Sequence, residues 1–82
     1  MTTLRYRGSL AELTDKREET ISATTIAEAL SHIENQYGKA AARQAARMLI
    51  TVGGTSILLL DRYKTPLAEG DTVSFLPLAA GG

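Results

Sequence analysis

The stretch Leu67-Ala68-Glu69-Gly70-Asp71-Thr72-Val73-Ser74-Phe75-Leu76-Pro77-Leu78-Ala79-Ala80-Gly81-Gly82 decides the fold. Glu69-Gly70-Asp71 reads as a turn, because glycine supplies the backbone freedom that a tight reversal needs. Thr72 to Leu78 alternates: Val73 and Phe75 fall on one face, Thr72, Ser74 and Leu76 on the other. Period two predicts a half-buried strand, with Val73 and Phe75 in the core. Pro77 has no N–H to give a sheet ladder and marks an edge or an end. Ala79-Ala80-Gly81-Gly82 carries nothing larger than a methyl group and is expected to be a flexible tail.

Upstream of this strand, Leu49 to Val52 is β-rich, Gly53-Gly54 is a turn, and Thr55 to Leu59 resumes as strand. The pattern predicts a tight hairpin. A phosphate-loop reading of Gly53-Gly54 fails, since no Lys-Ser/Thr pair and helix follow it. Asp61 to Lys64 reads as a polar loop, and Thr65-Pro66-Leu67 as extended chain. Further back, Thr25 and Glu28 match a capping box. Ile26, Leu30, Ile33 and Tyr37 then recur at helical spacing, with Ala29 beside them. Gly38 ends or bends this helix, and Ala40 to Met48 continues as a second helical piece.

At the start, Thr2 to Arg7 alternates, Leu4 and Tyr6 on one face, Arg5 and Arg7 on the other. Leu10 to Leu13 can form one helical turn capped by Ser9. Asp15 to Glu19 is read as a solvated turn with a short strand near Glu18 to Ile21, closing a wide opening hairpin. One main helix against a mixed sheet is a sound two-layer design. The expectation is an α+β fold in which residues 1–82 form one domain and 79–82 its tail.

Composition narrows the chemistry. At 82 residues the chain has room for one small core. Nine Lys and Arg balance nine Asp and Glu, so no bulk charge draws it to nucleic acid or to an anionic membrane. Cysteine is absent and histidine occurs once, which excludes thiol nucleophiles, disulfides and cysteine or histidine metal clusters. No pair of groups suited to acid–base or nucleophilic catalysis stands out. The apolar run Ile57 to Leu60 is far shorter than the roughly 20 residues of a membrane helix. Met1 to Arg7 lacks the apolar region of a secretory leader, so a cytoplasmic location is expected.

The diglycine fits one kind of chemistry. A terminal carboxylate on a narrow arm can enter a partner's active site. Gly82 has no Cβ to hinder attack at its carbonyl, and Gly81 permits backbone angles that other residues resist.

Glu69-Gly70-Asp71, Val73, Phe75, Pro77, Gly81 and Gly82 together resemble the C-terminal signature of the ubiquitin-like sulfur carriers. These include the small subunit of molybdopterin synthase and the thiamine-biosynthesis carrier. Val52-Gly53-Gly54 resembles their hairpin turn, where Asn-Gly is more usual. Leu78 stands where many molybdopterin-type chains have a second proline. The length is nearer the molybdopterin type.

The resemblance implies a β-grasp fold and a carrier protein, not an enzyme. It implies that Gly82, with Gly81, is adenylated by a ubiquitin-activating-like adenylyltransferase that consumes ATP. A sulfur donor then leaves a thiocarboxylate, which a second enzyme accepts, such as the large subunit of molybdopterin synthase. No bound cofactor or metal, no nucleic acid and no membrane is expected. Alternatives are a carrier for thiamine or cysteine biosynthesis, a protein modifier, or a plain ubiquitin-like binding module.

The expected partner interface comprises Phe75, Leu76, Pro77, Leu78, Ala79 and Ala80, with Leu58, Leu60, Arg62 and Lys64. Phe75 is also a core candidate. Leu58, Leu60, Leu76 and Leu78 are expected to leave an apolar patch on the open sheet face. Arg5, Arg7, Arg43, Arg47, Arg62 and Lys64 could form a basic face, although solvated charge is the ordinary state of such residues. His32 is expected at the boundary of the helix, with Glu28 as a candidate partner.

Overall fold

The computed structural model describes residues 1–78 of the chain. Five strands form one sheet: β1 (Thr2–Tyr6), β2 (Glu18–Ile21), β3 (Leu49–Val52), β4 (Thr55–Ser56) and β5 (Thr72–Leu76). Three helices accompany them: α1 (Gly8–Thr14), α2 (Ile26–Tyr37) and α3 (Lys39–Arg47). The strand order is β2-β1-β5-β3-β4. β1 and β5 run parallel at the centre, and every other pairing is antiparallel. This is the α+β arrangement of one mixed sheet against helices that the sequence pattern predicts, and the β-grasp fold that the resemblance implies.

Alternation builds the core. Thr2, Leu4 and Tyr6 of β1, and Val73 and Phe75 of β5, are buried, while their neighbours are not. Register places Leu4 beside Val73, Tyr6 beside Phe75, and Ile50 of β3 opposite Phe75. The Tyr6 and Phe75 rings lie 5.8 Å apart and tilted. Leu10, Ile26, Ala29, Ile33, Ala41 and Ala45 complete the helical side of the same core. Helix α2 begins as the capping box requires: the Glu28 N–H donates to Thr25 Oγ1 at 3.2 Å. The Glu28 carboxylate accepts from the N–H of Thr24, one residue before the cap. Gly38, at φ 98°, closes α2 by donating its N–H to the Glu34 carbonyl, and α3 follows at once.

Four local expectations change. α1 begins at Gly8, so Ser9 lies inside it and caps nothing. After Gly53 and Gly54, both with positive φ, β4 lasts only two residues. Ile57–Leu59 then forms a 3-10 turn, because Ile57 must enter the core (5% exposed) while Leu58 and Leu59 face solvent. A continued strand would also put Ile57 on the core face, opposite Ile50, but it would turn Leu59 inward, and Leu59 is 80% exposed. Arg62–Lys64 is a second 3-10 turn, not an open loop. β5 ends at Leu76, two residues earlier than its alternation suggests, since Pro77 cannot donate to the ladder.

Candidate functional site

The site is the place where the chain leaves β5. The turn before β5 is closed from both sides. The Asp71 N–H donates to the Ala68 carbonyl at 3.1 Å, and the Asp71 carboxylate accepts from the Ala68 N–H at 2.8 Å. Gly70 holds φ 87°, a region that favours glycine. The Asp71 carbonyl then accepts from the N–H of Thr3, which starts the parallel ladder. β5 is thus clamped at its entry and flanked along its length by β1 and β3.

At its exit, Pro77 and Leu78 are exposed. Pro77 packs against the start of α1. A Cβ built on Gly8 would lie 3.0 Å from the Pro77 ring, and Gly8 has φ +58°. Any larger residue at that position would be strained and would push on the exit segment. Leu78 sits between two hollows. One is an apolar cleft of about 370 Å³ whose wall includes Met48, Ile57, Leu58 and Tyr63, with Arg47 and Arg62. The other is lined by Ser9, Gln44, Arg47 and Pro77. Arg47 borders both. Arg62 holds a left-handed backbone (φ 51°), a conformation costing a non-glycine residue about 1–2 kcal/mol.

Of the residues expected to face a partner, Leu58, Arg62 and Leu78 come together at this cleft. Leu60 and Lys64 are exposed on the neighbouring chain but outside its wall. Leu76 is half-buried on the open face of the sheet. Phe75 is a correction: at 0% exposure its side chain belongs wholly to the core and offers no surface. Ala79, Ala80, Gly81 and Gly82 lie outside the described residues.

The open face is also corrected. The register puts Thr3, Thr20, Thr51, Thr72, Ser74 and Ser56 on it, with Arg5 and Glu18 paired at 3.5 Å. It is a hydroxyl-rich face, apolar only where Leu49 meets Leu76. Leu58 and Leu60 lie off the strands, on and after the first 3-10 turn, so the apolar surface flanks the sheet.

A polar cluster sits on the other side of the molecule. Glu19 Oε2 accepts from the Tyr6 hydroxyl at 2.5 Å and the Tyr37 hydroxyl at 2.9 Å, and His32 Nε2 lies 3.1 Å away. Lys16 Nζ approaches the other carboxylate oxygen at 3.6 Å. His32 therefore pairs with Glu19, not with Glu28. Glu19 alternates with buried Ile21 and so shares the core face of β2. That alternation was the sequence signal for the cluster, together with two inward tyrosines whose hydroxyls need an acceptor.

Burial by itself would raise the Glu19 carboxyl. The hydrogen bonds from Tyr6, Tyr37 and His32 outweigh it and hold the group below the ordinary carboxylate value. The Tyr37 hydroxyl is pushed up to about 12 by burial and by the Glu19 carboxylate, and Tyr6 is raised further for the same reasons. A lowered carboxyl contributes stability that is complete above its unfolded value and is lost as pH falls through the folded one. The raised Tyr37 contributes stability that is complete below the ordinary tyrosine value and declines as pH rises towards 12. Glu19→Gln is expected to cost about 1.5–3 kcal/mol at neutral pH. Urea unfolding should show the mutant losing less stability than the wild type between about pH 5 and pH 3. Equal acid sensitivity would refute the assignment.

Among the described residues no cluster of His, Cys, Asp and Glu could hold a metal, and no helix is long and apolar enough to cross a membrane.

A five-stranded mixed sheet grasping its helices, with the last strand at its centre and an exposed exit, defines a ubiquitin-like β-grasp protein. The model of the ThiS family matches residues 4–82, and the chain belongs to that family. One similar solved structure is a chain of the BexX/CysO complex from Amycolatopsis orientalis. It has 20% identity and a TM-score of 0.84, with all of both chains covered. Small archaeal modifier protein 1 from Methanosarcina acetivorans shows 19% identity and a TM-score of 0.84, over 99% of this chain and 95% of that one. A chain of the complex of molybdopterin-converting factor subunits 1 and 2 from Helicobacter pylori shows 22% identity and a TM-score of 0.71. There the cover is 99% of this chain and 97% of that one. At such identities the likeness is one of fold. None of the curated protein sequences matches the chain. The ThiS family is one of the ubiquitin-like sulfur-carrier families.

Proposed function

We propose that the chain carries sulfur as a thiocarboxylate on Gly82 and delivers it to the large subunit of a molybdopterin synthase. A ubiquitin-activating-like adenylyltransferase joins the Gly82 carboxylate to the α-phosphate of ATP, and pyrophosphate leaves. Sulfur from a donor then attacks the Gly82 carbonyl and AMP departs, so a C–S bond replaces a C–O bond. Residues 1–82 act as one β-grasp domain, in the cytoplasm where ATP is at hand, with 79–82 as the working arm.

One observation carries this reading. The central strand β5 delivers Pro77 and Leu78 to an exposed exit, and Ala79-Ala80-Gly81-Gly82 follows directly in sequence. Four extended residues reach about 14 Å, enough to enter an enclosed active site while the domain stays outside. Leu76, Pro77, Leu78, Ala79 and Ala80 line the partner's channel. Leu58, Leu60, Arg62 and Lys64 meet its rim.

A second reading changes only the acceptor. The fold is more like the CysO-complex chain and small archaeal modifier protein 1, at TM-scores of 0.84, than the two chains of molybdopterin-converting factors, at 0.71 and 0.72. A sulfur-accepting enzyme of another pathway, or an amine that would give an amide, fits the same tail. The test is intact mass after incubation with ATP, the cognate adenylating enzyme and a sulfur source. Thiocarboxylation adds about 16 Da, the exchange of one oxygen for one sulfur. An unchanged mass with an enzyme that charges other carriers would overturn the proposal. Transfer to a purified synthase large subunit, read as loss of the added mass, separates the two acceptors.

A further inference from the structure

We infer that the cationic side of α3 and the apolar cleft beside Leu78 form one docking surface for an acidic, amphipathic helix on the protein that receives the tail. The inference rests on the carrier reading and specifies the chemistry of its partner.

The chain has zero net charge, but the charge is segregated. α3 carries Lys39, Arg43 and Arg47 and no acid. Spaced by four, the three cations run down one side of the helix, and all are exposed. Arg62 and Lys64 add two more from the second 3-10 turn. None of these five forms an ion pair among the described residues. Helix stability does not account for the stripe. Arg47 in the last turn suits the helix dipole, but Lys39 stands in the first turn, where a cation is unfavourable.

The cations frame apolar surface. Arg47 and Arg62 border the cleft walled by Met48, Ile57 and Leu58, with Tyr63 at 46% exposure and Leu78 at 55%. Tyr63 also borders the adjoining hollow that Lys39 and Arg43 line, with Glu34 of α2 in its wall as the one acid beside the two cations, so stripe and cleft are continuous. An apolar floor inside a cationic frame matches a helix with an apolar stripe and acidic flanks. A single-stranded nucleic acid would instead need bases stacked on several aromatic rings along a charged groove, where Tyr63 stands alone, and a duplex has no apolar stripe to fill the cleft. The occupant is thus a protein helix, placed where it holds the domain as the tail enters the active site.

The probe is a synthetic amphipathic peptide of about 16 residues, roughly four turns, with leucine on one face and glutamate on the others. It is titrated into the full-length isotope-labelled protein and followed by amide chemical shifts. Shifts should concentrate on Lys39 to Arg47 and Ser56 to Tyr63. Affinity should fall by about tenfold at high salt, and similarly when glutamine replaces the glutamates or in Arg47→Glu/Arg62→Glu. No perturbation, perturbation of the open sheet face, equal binding of the glutamine peptide, or tighter binding of a short single-stranded RNA to the same residues would each overturn the inference. Because binding is mapped first on the wild type, the test does not depend on the variant folding. Charging of Gly82 is scored separately by mass. Normal charging without peptide binding removes the docking surface alone, whereas peptide binding without charging removes the carrier reading.

Discussion

Adding one alanine after Gly82, or deleting Gly82, is expected to abolish the gain of about 16 Da while leaving the thermal midpoint of the domain unchanged. The reason is a separation of tasks along the chain. Every core residue identified lies at or before Phe75, and the sheet ladders close at Leu76. In the proposed reaction, by contrast, the bond is made at the Gly82 carbonyl, beyond the last core residue. An added residue moves the carboxylate by about 3.5 Å and puts a Cβ beside it. An enclosed adenylation site that accepts a bare glycine discriminates strongly against both changes, because the reacting oxygen must meet the α-phosphate in line. The measurement pairs intact mass with calorimetry. A charged product from the extended chain would show that the reactive group is not the Gly82 carboxylate. A shifted midpoint would show that the arm also stabilises the fold.

Phe75→Ala should have the largest effect on stability, about 3–5 kcal/mol. Phe75 is fully buried, stacks in a tilted pair with Tyr6, and lies opposite Ile50. The central strand has neighbours on both sides, which limits how far the cavity can collapse. A domain of this length has a total stability of roughly 4–12 kcal/mol, so the loss reaches about a quarter of it or more. Urea unfolding should show a much lower midpoint, or a chain largely unfolded in buffer. Leu78→Ala is the control: exposed at 55%, it should leave stability nearly unchanged and weaken only partner binding. A small effect at Phe75 would contradict its place in the core and return it to the surface.

These two residues also mark how far the sequence could be read. The clean alternation of Val73 and Phe75 and the helical spacing from Ile26 to Tyr37 identified the principal strand and helix, because period reports the buried face directly. The hairpin at Gly53-Gly54 was legible from turn chemistry. The short return strand was not. A strand would alternate Ile57 inward, Leu58 outward and Leu59 inward, but Leu59 is 80% exposed, and the chain coils into a 3-10 turn against the β propensity of the run Ile57 to Leu60. The Glu19 cluster was hidden for a similar reason. A glutamate in a charged run looks solvated until β2 is registered against β1, which sets it near the Tyr6 hydroxyl, and the end of α2 adds the Tyr37 hydroxyl. At the candidate site, the diglycine was visible as composition. The cleft was not, since it is assembled from α3, the first 3-10 turn and the exit of β5, which are distant in sequence.

The parallel pairing of β1 with β5 has a consequence for how the molecule is made. Thr3 pairs with Thr72 and Tyr6 with Phe75, so the middle of the sheet joins segments from opposite ends of the described chain. As the chain is synthesised, β1 with β2 and β3 with β4 can form as separate hairpins. Each then exposes an unpaired inner edge until β5 threads between them. Such long-range closure is slow compared with local helix formation. Closure of the sheet and placement of the exposed exit at Pro77 and Leu78 are therefore one event: the strand that completes the sheet is the strand that leads to them. A nascent or truncated chain lacking β5 has no finished core and, on the function proposed, no carboxylate in place to be activated.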